Sequence, residues 1–187
     1  MSISSVKTGA VGVSLLAGNA YYDPFGFESI ATVTVGSGGA SDVEFTSIGT
    51  DWTHLQIRGL LKVNSGALNP KLQFNNDTAN NYRSHEIYGT GSSANAQDLG
   101  LANYIGLNYQ TTQWGALIVD ILDYKSTNKN KTTRQLGGAD TNGGGVVSFG
   151  SGLWFKTPEA ITSIKLTFVN PLVQYSYIAL YGIKEAD

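Results

Sequence analysis

From Ser29 onward the chain alternates apolar and polar positions in short runs, each closed by Gly, Asn or Asp. Ala31, Val33 and Val35 fall on one side of the first run and Thr32 and Thr34 on the other, the period of two that marks a strand. Gly36-Ser37-Gly38-Gly39 then turns the chain into a second run from Asp42 to Thr46, as in a hairpin with a longer loop. Between His54 and Val63 the alternation is clean. Leu55, Ile57, Leu61 and Val63 share one side, and His54, Gln56, Arg58 and Lys62 the other. That is the pattern of a half-buried antiparallel strand.

Further strands are predicted at 71–74 and 82–88, on either side of the turn cluster Asn75-Asn76-Asp77. More follow at 114–122, 131–136, 146–155, 161–168 and 176–183. The segment 89–112 carries Ser, Ala, Asn and Gly with scattered Leu and Tyr, and reads as a long loop with one strand near 99–107. No amphipathic helix and no fixed-period repeat emerges. Parallel sheets need crossover helices, so the expected fold is all-β, an antiparallel β-sandwich of jelly-roll type. It spans residues 27–187.

Residues 1–26 are expected to form an extended N-terminal arm. They contain too many small residues to build a core, so they would gain order only by docking on a partner. Val11, Val13, Leu15 and Leu16, with Tyr21 and Tyr22, are the expected docking side chains. Asp23-Pro24 would be the hinge, because proline stiffens its own bond and disfavours helix at the residue before it. A single Lys7 ahead of a Gly-interrupted apolar run makes a poor secretory signal.

Composition narrows the function classes. Charged residues make up only 14% of the 187, against a norm of about 25%, so Ser, Thr, Asn, Gln and Gly must cover much of the surface. Such surfaces are common in proteins that sit in assemblies or bind sugars. A net charge of −2 leaves no electrostatic footprint for nucleic acid or an anionic membrane. No apolar stretch approaches the roughly 18 residues of a membrane span. Cysteine is absent, which excludes disulfides, thiolate metal sites and a Cys nucleophile.

Each candidate chemistry has a plainer rival. Gly89-Thr90-Gly91-Ser92-Ser93-Ala94 fits G-x-G-x-x-A, but no helix follows to hold a pyrophosphate, and a flexible turn is the better reading. His54 and His85 lie on different strands without metal-ligand spacing. Asp120 and Asp123 face opposite ways on a strand and form no catalytic pair; Asp120 is expected to bond to a loop, or to Arg58 or Arg134. Asp140-Thr141-Asn142-Gly143 begins like a calcium loop but lacks the closing acid, so a tight turn is favoured. With no G-x-S-x-G elbow either, the chain does not read as an enzyme, and no cofactor or metal is implied.

The aromatics carry more weight. Tyr82, Tyr88, Tyr104, Tyr109 and Trp114 fall in or beside expected loops. There they would serve a protein interface or stack on sugar rings, or else cap the core of a Gly-rich sandwich.

Several phrases resemble a family of small virion proteins of tailed bacteriophages, especially those of marine and cyanobacterial hosts. They are ESIATVTVGSGGAS (Glu28 to Ser41), THLQIRG (Thr53 to Gly59), FNNDTANNYRSHEIYGTGSS (Phe74 to Ser93), ILDYKSTNKNKTTRQLGG (Ile121 to Gly138), SGLW (Ser151 to Trp154) and LYGIK (Leu180 to Lys184). The resemblance spans Phe27 to Lys184 and leaves the first 26 residues outside it. It implies a structural virion component, a capsid decoration or cement protein or part of a fibre, with major capsid or tail proteins as partners. A homo-oligomer is expected, with a trimer favoured because capsid three-fold positions suit it. The alternative is a receptor- or carbohydrate-binding module of a tail fibre or tailspike, whose partner would be a host-surface glycan.

Overall fold

A computed structural model describes residues 26–107 and 112–184 of the chain. Its strands run, in chain order, β1 (Phe27–Thr34), β2 (Ala40–Phe45), β3 (His54–Leu61), β4 (Lys71–Phe74), β5 (Tyr82–Gly89), β6 (Ala94–Ala102), β7 (Ile105–Gly106), β8 (Gly115–Leu122), β9 (Lys131–Asp140), β10 (Gly145–Trp154), β11 (Ile164–Leu172) and β12 (Tyr177–Ile183). They form an eight-stranded sheet, β1-β12-β3-β8-β9-β10-β5-β6, and a four-stranded sheet, β2-β11-β4-β7. Every pairing is antiparallel.

The hairpins β5–β6 and β9–β10 are insertions. Without them, the other eight strands divide into β1-β12-β3-β8 and β2-β11-β4-β7, with the chain passing from sheet to sheet at almost every step. This is the double Greek key of a jelly roll. The β5–β6 hairpin interrupts the link from β4 to β7, and β9–β10 the link from β8 to β11. The two meet where β10 pairs with β5, Trp154 opposite Tyr82 and Phe149 opposite Ile87. They widen one sheet until it overhangs the other.

The core lies between the jelly-roll halves. Leu55, Ile57 and Leu61 of β3, Leu117, Val119 and Ile121 of β8, and Ile178 and Leu180 of β12 face Val43, Phe45, Leu72, Phe74, Ile164 and Leu166 of the smaller sheet, all buried. Gly182 serves packing: Trp52 lies across its α-carbon, and a Cβ there would fall inside the indole. Towards the inserted hairpins the inner face turns polar. Lys131, Thr133 and Gln135 of β9, Ser148 of β10, and Ser84 and Glu86 of β5 are all buried. Lys131 shows how such burial is tolerated. Its Nζ donates to the carbonyls of Ser126 (2.6 Å) and Lys129 (2.8 Å), and burial lowers the pKa of the ammonium.

A side-chain node ties the turn after β4 to the approach to β11. Asn75 and Asn76 both take left-handed backbone, φ 51° and 53°, a conformation that asparagine tolerates. Asn75 Oδ1 accepts the N–H groups of Thr162 (2.8 Å) and Ser163 (3.1 Å), while its Nδ2 donates to the Ala160 carbonyl at 2.8 Å.

The segment 89–112 departs most from expectation. The flexible turn expected over Gly89 to Ala94 is a hairpin loop, closed by Thr90 N–H on the Ser93 carbonyl at 3.0 Å, and a nine-residue edge strand follows it directly. Strand β6 has no alternating apolar face because it is exposed on both sides over most of its length. A bulge at Leu99–Gly100 shifts its register against β5; Gly100 has φ 72° there, and its N–H donates to Asp98 Oδ1 at 2.8 Å. The Asn170-Pro171 break likewise falls within β11, where pairing with β2 is irregular between Thr167 and Leu172. An irregular pairing is where a sheet accommodates proline.

Candidate functional site

The outward face of the eight-stranded sheet gathers side chains into adjacent rows, set by the register. One row is apolar. Ile87 of β5 lies opposite Phe149 of β10, which lies opposite Leu136 of β9, which lies opposite Ile118 of β8. Val147 stands beside it on β10. These residues stay open to solvent: Ile87 is 57% exposed, Val147 58%, Leu136 48% and Phe149 47%.

The next row is polar, with bonded groups at either end. Arg134 of β9 donates through Nε (3.1 Å) and a terminal nitrogen (2.7 Å) to Asp120 Oδ2 on β8. Gln56 of β3 donates to Asp120 Oδ1 at 2.6 Å and accepts from Arg58 Nε at 2.6 Å. Asp120 is thus held by Arg134 directly and by Arg58 through Gln56, close to the pairing expected from sequence. The Arg58 guanidinium lies 4.8 Å from the centre of the Phe27 ring, which stacks on Tyr181 at 4.7 Å. At the other end of the row Arg83 pairs with Asp98 at 2.5 Å, and His85 Nε2 lies 3.5 Å from Asp98 Oδ1. The hydrogen bond from Arg83, with one from the Gly100 N–H, holds the Asp98 carboxyl at about 2. Each exposed pair is worth little energetically; the row fixes geometry more than it stabilises.

A second feature lies on the opposite face, where the wide sheet overhangs the narrow one. A cleft of about 480 Å³ opens between the β5–β6 hairpin and the β4–β7 edge, within the size range of small-ligand sites. Tyr88, Gln97 and Leu99 line one wall; Asn69, Lys71 and Tyr104 line the other. The bulge in β6 turns Leu99 into this cleft and leaves Leu101 pointing outward, 60% exposed. Asn69 has left-handed backbone, φ 34°, and among the described residues its buried Oδ1 has no hydrogen-bond partner. The Lys71 ammonium sits 4.7 Å from the centre of the Tyr104 ring.

Of the aromatics singled out from sequence, the structure brings Tyr88 and Tyr104 together at this cleft. Trp114 stands apart at the start of β8, 41% exposed, with the Lys62 ammonium 5.9 Å from its ring centre. Tyr82, expected beside a loop at the start of a strand, takes the core-capping alternative. It is a core residue of β5, wholly buried and stacked on Trp154 at 6.2 Å between ring centres. Its hydroxyl accepts the Phe74 N–H at 3.1 Å, and burial raises the phenol pKa far above the ordinary tyrosine value. Strand alternation turns it inward together with Ser84 and Glu86. Val11, Val13, Leu15, Leu16, Tyr21, Tyr22 and Tyr109 lie outside the described residues. The two histidines stay apart: His54 Nδ1 accepts the Asp123 N–H at 2.9 Å, and His85 stands over Asp98. Among the described residues no three His, Cys, Asp or Glu side chains converge as a metal site would require.

The outward apolar row is the part of the site that sequence reasoning missed. Its signal was present: Leu136 sits out of phase with Thr133 and Gln135, which shows that β9 turns its polar side inward.

No protein-family model and no curated protein matches the chain. Among solved structures, alginate lyase Aly36B aligns over 82% of this chain and 80% of its own, with a TM-score of 0.35 and 13% identity. A likeness at that level carries no argument about site or activity.

Proposed function

We propose that this protein is a structural component of a tailed-phage virion, a β-sandwich that docks on neighbouring particle proteins rather than one that turns over a substrate. One observation carries the reading. Ile87, Val147, Phe149 and Leu136 form an apolar patch about half exposed on a sheet face, bordered by the bonded Arg134–Asp120–Gln56–Arg58 row. Contiguous apolar surface rimmed by polar groups marks protein interfaces, and the low charge of the chain fits burial in an assembly. The resemblance to phage virion proteins supplies the kind of partner: another virion protein, with the N-terminal arm as a second attachment.

The test is incorporation into particles. The double variant Ile87→Ser, Phe149→Ser removes apolar area while leaving the core untouched. It is expected to fold normally and to lower occupancy on particles at least tenfold, since each buried apolar side chain contributes about 1.5–3 kcal/mol. Full occupancy by the folded double variant would overturn the docking face.

A second reading, recognition of a host-surface glycan, is favoured by the cleft under the overhang, where tyrosines and hydrogen-bonding groups converge.

A further inference from the structure

We infer that the cleft between the β5–β6 hairpin and the β4–β7 edge binds a carboxylated sugar residue, of the uronate or sialate class, at the end of or within a glycan. The inference rests on the glycan reading above and assigns it a place, a ligand class and contacts.

Three features converge there. The first is a set of hydrogen-bonding groups that the protein itself leaves unused. Among the described residues Asn69 Oδ1, buried at the cleft wall, has no hydrogen-bond partner. Native proteins rarely bury a polar atom without one, and each case asks for an explanation such as a ligand. Ser84 Oγ, which accepts the Gly106 N–H at 3.2 Å, keeps its own hydrogen free to donate. Sugars present alternating hydroxyl donors and acceptors that match such a set.

Second, the walls are amphipathic. Tyr88 and Leu99 offer ring and methyl surface beside these polar atoms. Pyranose rings pack their C–H faces against such surface while their hydroxyls bond around the edge, which is how aromatics with a polar tip serve sites of mixed character.

Third, the rim carries a cation without a counter-ion. Lys129, Lys156 and Lys165 pair with Asp123, Glu159 and Asp42. Among the described residues Lys71 has no carboxylate partner; its ammonium rests over Tyr104. That contact orients the ammonium without neutralising it. A carboxylate on the sugar would supply the missing charge, which a neutral hexose cannot do.

Nuclear magnetic resonance titration of the full chain tests this, with sialyllactose and trigalacturonate as acidic probes and lactose as the neutral control. An acidic probe is expected to shift the resonances of Asn69, Lys71, Tyr88 and Leu99, with lactose at least fivefold weaker. Lys71→Gln should weaken the acidic probe about five- to tenfold, the worth of one charge-assisted contact, and leave lactose unchanged. Asn69→Gly accepts the positive φ without strain, so it removes the amide while keeping the fold, and it should weaken both. Equal affinity for lactose and the acidic probes would overturn the ligand class. Shifts confined to the outward sheet face would overturn the site while sparing the glycan reading. Absence of any sugar binding at millimolar concentration would sink both and leave the virion-docking proposal to its own test.

Discussion

Asn75 offers a sharp test of how the fold is held, because one carboxamide spans the turn after β4 and the approach to β11. In Asn75→Ala, the Thr162 and Ser163 N–H groups lose their acceptor and the Ala160 carbonyl loses a donor. At about 0.5–1.5 kcal/mol per bond, and with Thr162 exposed enough for water to replace part of the loss, the bonds account for about 2–3 kcal/mol. Alanine must also adopt φ 51°, adding about 1 kcal/mol for a Cβ in the left-handed region. Asn75→Gly loses the same bonds without that steric cost. The expected order of stability is therefore wild type, Gly, Ala, with Ala about 3–4 kcal/mol below wild type. Urea unfolding monitored by tryptophan fluorescence reads this directly, since a slope of about 1–3 kcal/mol/M turns the loss into a midpoint shift of about 1 M or more. An Ala variant within 1 kcal/mol of wild type would refute the bridging role. A Gly variant no more stable than Ala would refute the backbone part of the reasoning.

Two further predictions come from single contacts. Gly182→Ala places a Cβ inside the Trp52 indole, so the ring must move; the expected cost is about 1–3 kcal/mol, with a red shift of tryptophan emission, and an unchanged spectrum and midpoint would count against the packing. Arg83→Gln removes the hydrogen bond that holds the Asp98 carboxyl at about 2. Because that pKa is depressed in the folded chain, its contribution to stability is complete above the ordinary carboxylate range and is lost as pH falls towards 2. The variant should shift the Asp98 titration midpoint upward in carboxyl-detected magnetic resonance and flatten stability against pH between about 4 and 2. An unmoved midpoint would show that the pair does not persist in solution.

The jelly-roll strands were legible in the sequence for a reason that fails in the insertions. In β3 and β8 one face meets the opposing sheet and the other meets solvent, so Leu55, Ile57 and Leu61 stand out against Gln56 and Arg58. Where the wide sheet overhangs the narrow one, that contrast reverses. Strand β9 buries Lys131, Thr133 and Gln135 and exposes Leu136; β10 buries Ser148 and exposes Val147 and Phe149. Alternation reveals a strand there but gives its phase the wrong way round, and β6, exposed on both sides, shows no alternation at all. The burial of Tyr82 was left open because its determining neighbour, Trp154, is distant in sequence and reaches it only through the β5–β10 register. The pairing of two inserted hairpins across a Greek key is a long-range property that no local window contains. The same reversal produces the exposed row of Ile87, Phe149 and Leu136. The overhang carries polar residues inside and the apolar row outside, and such a face is stable in water only at a cost that burial against a partner removes. The irregularity that hid the site from sequence reading is therefore the physical argument for docking there.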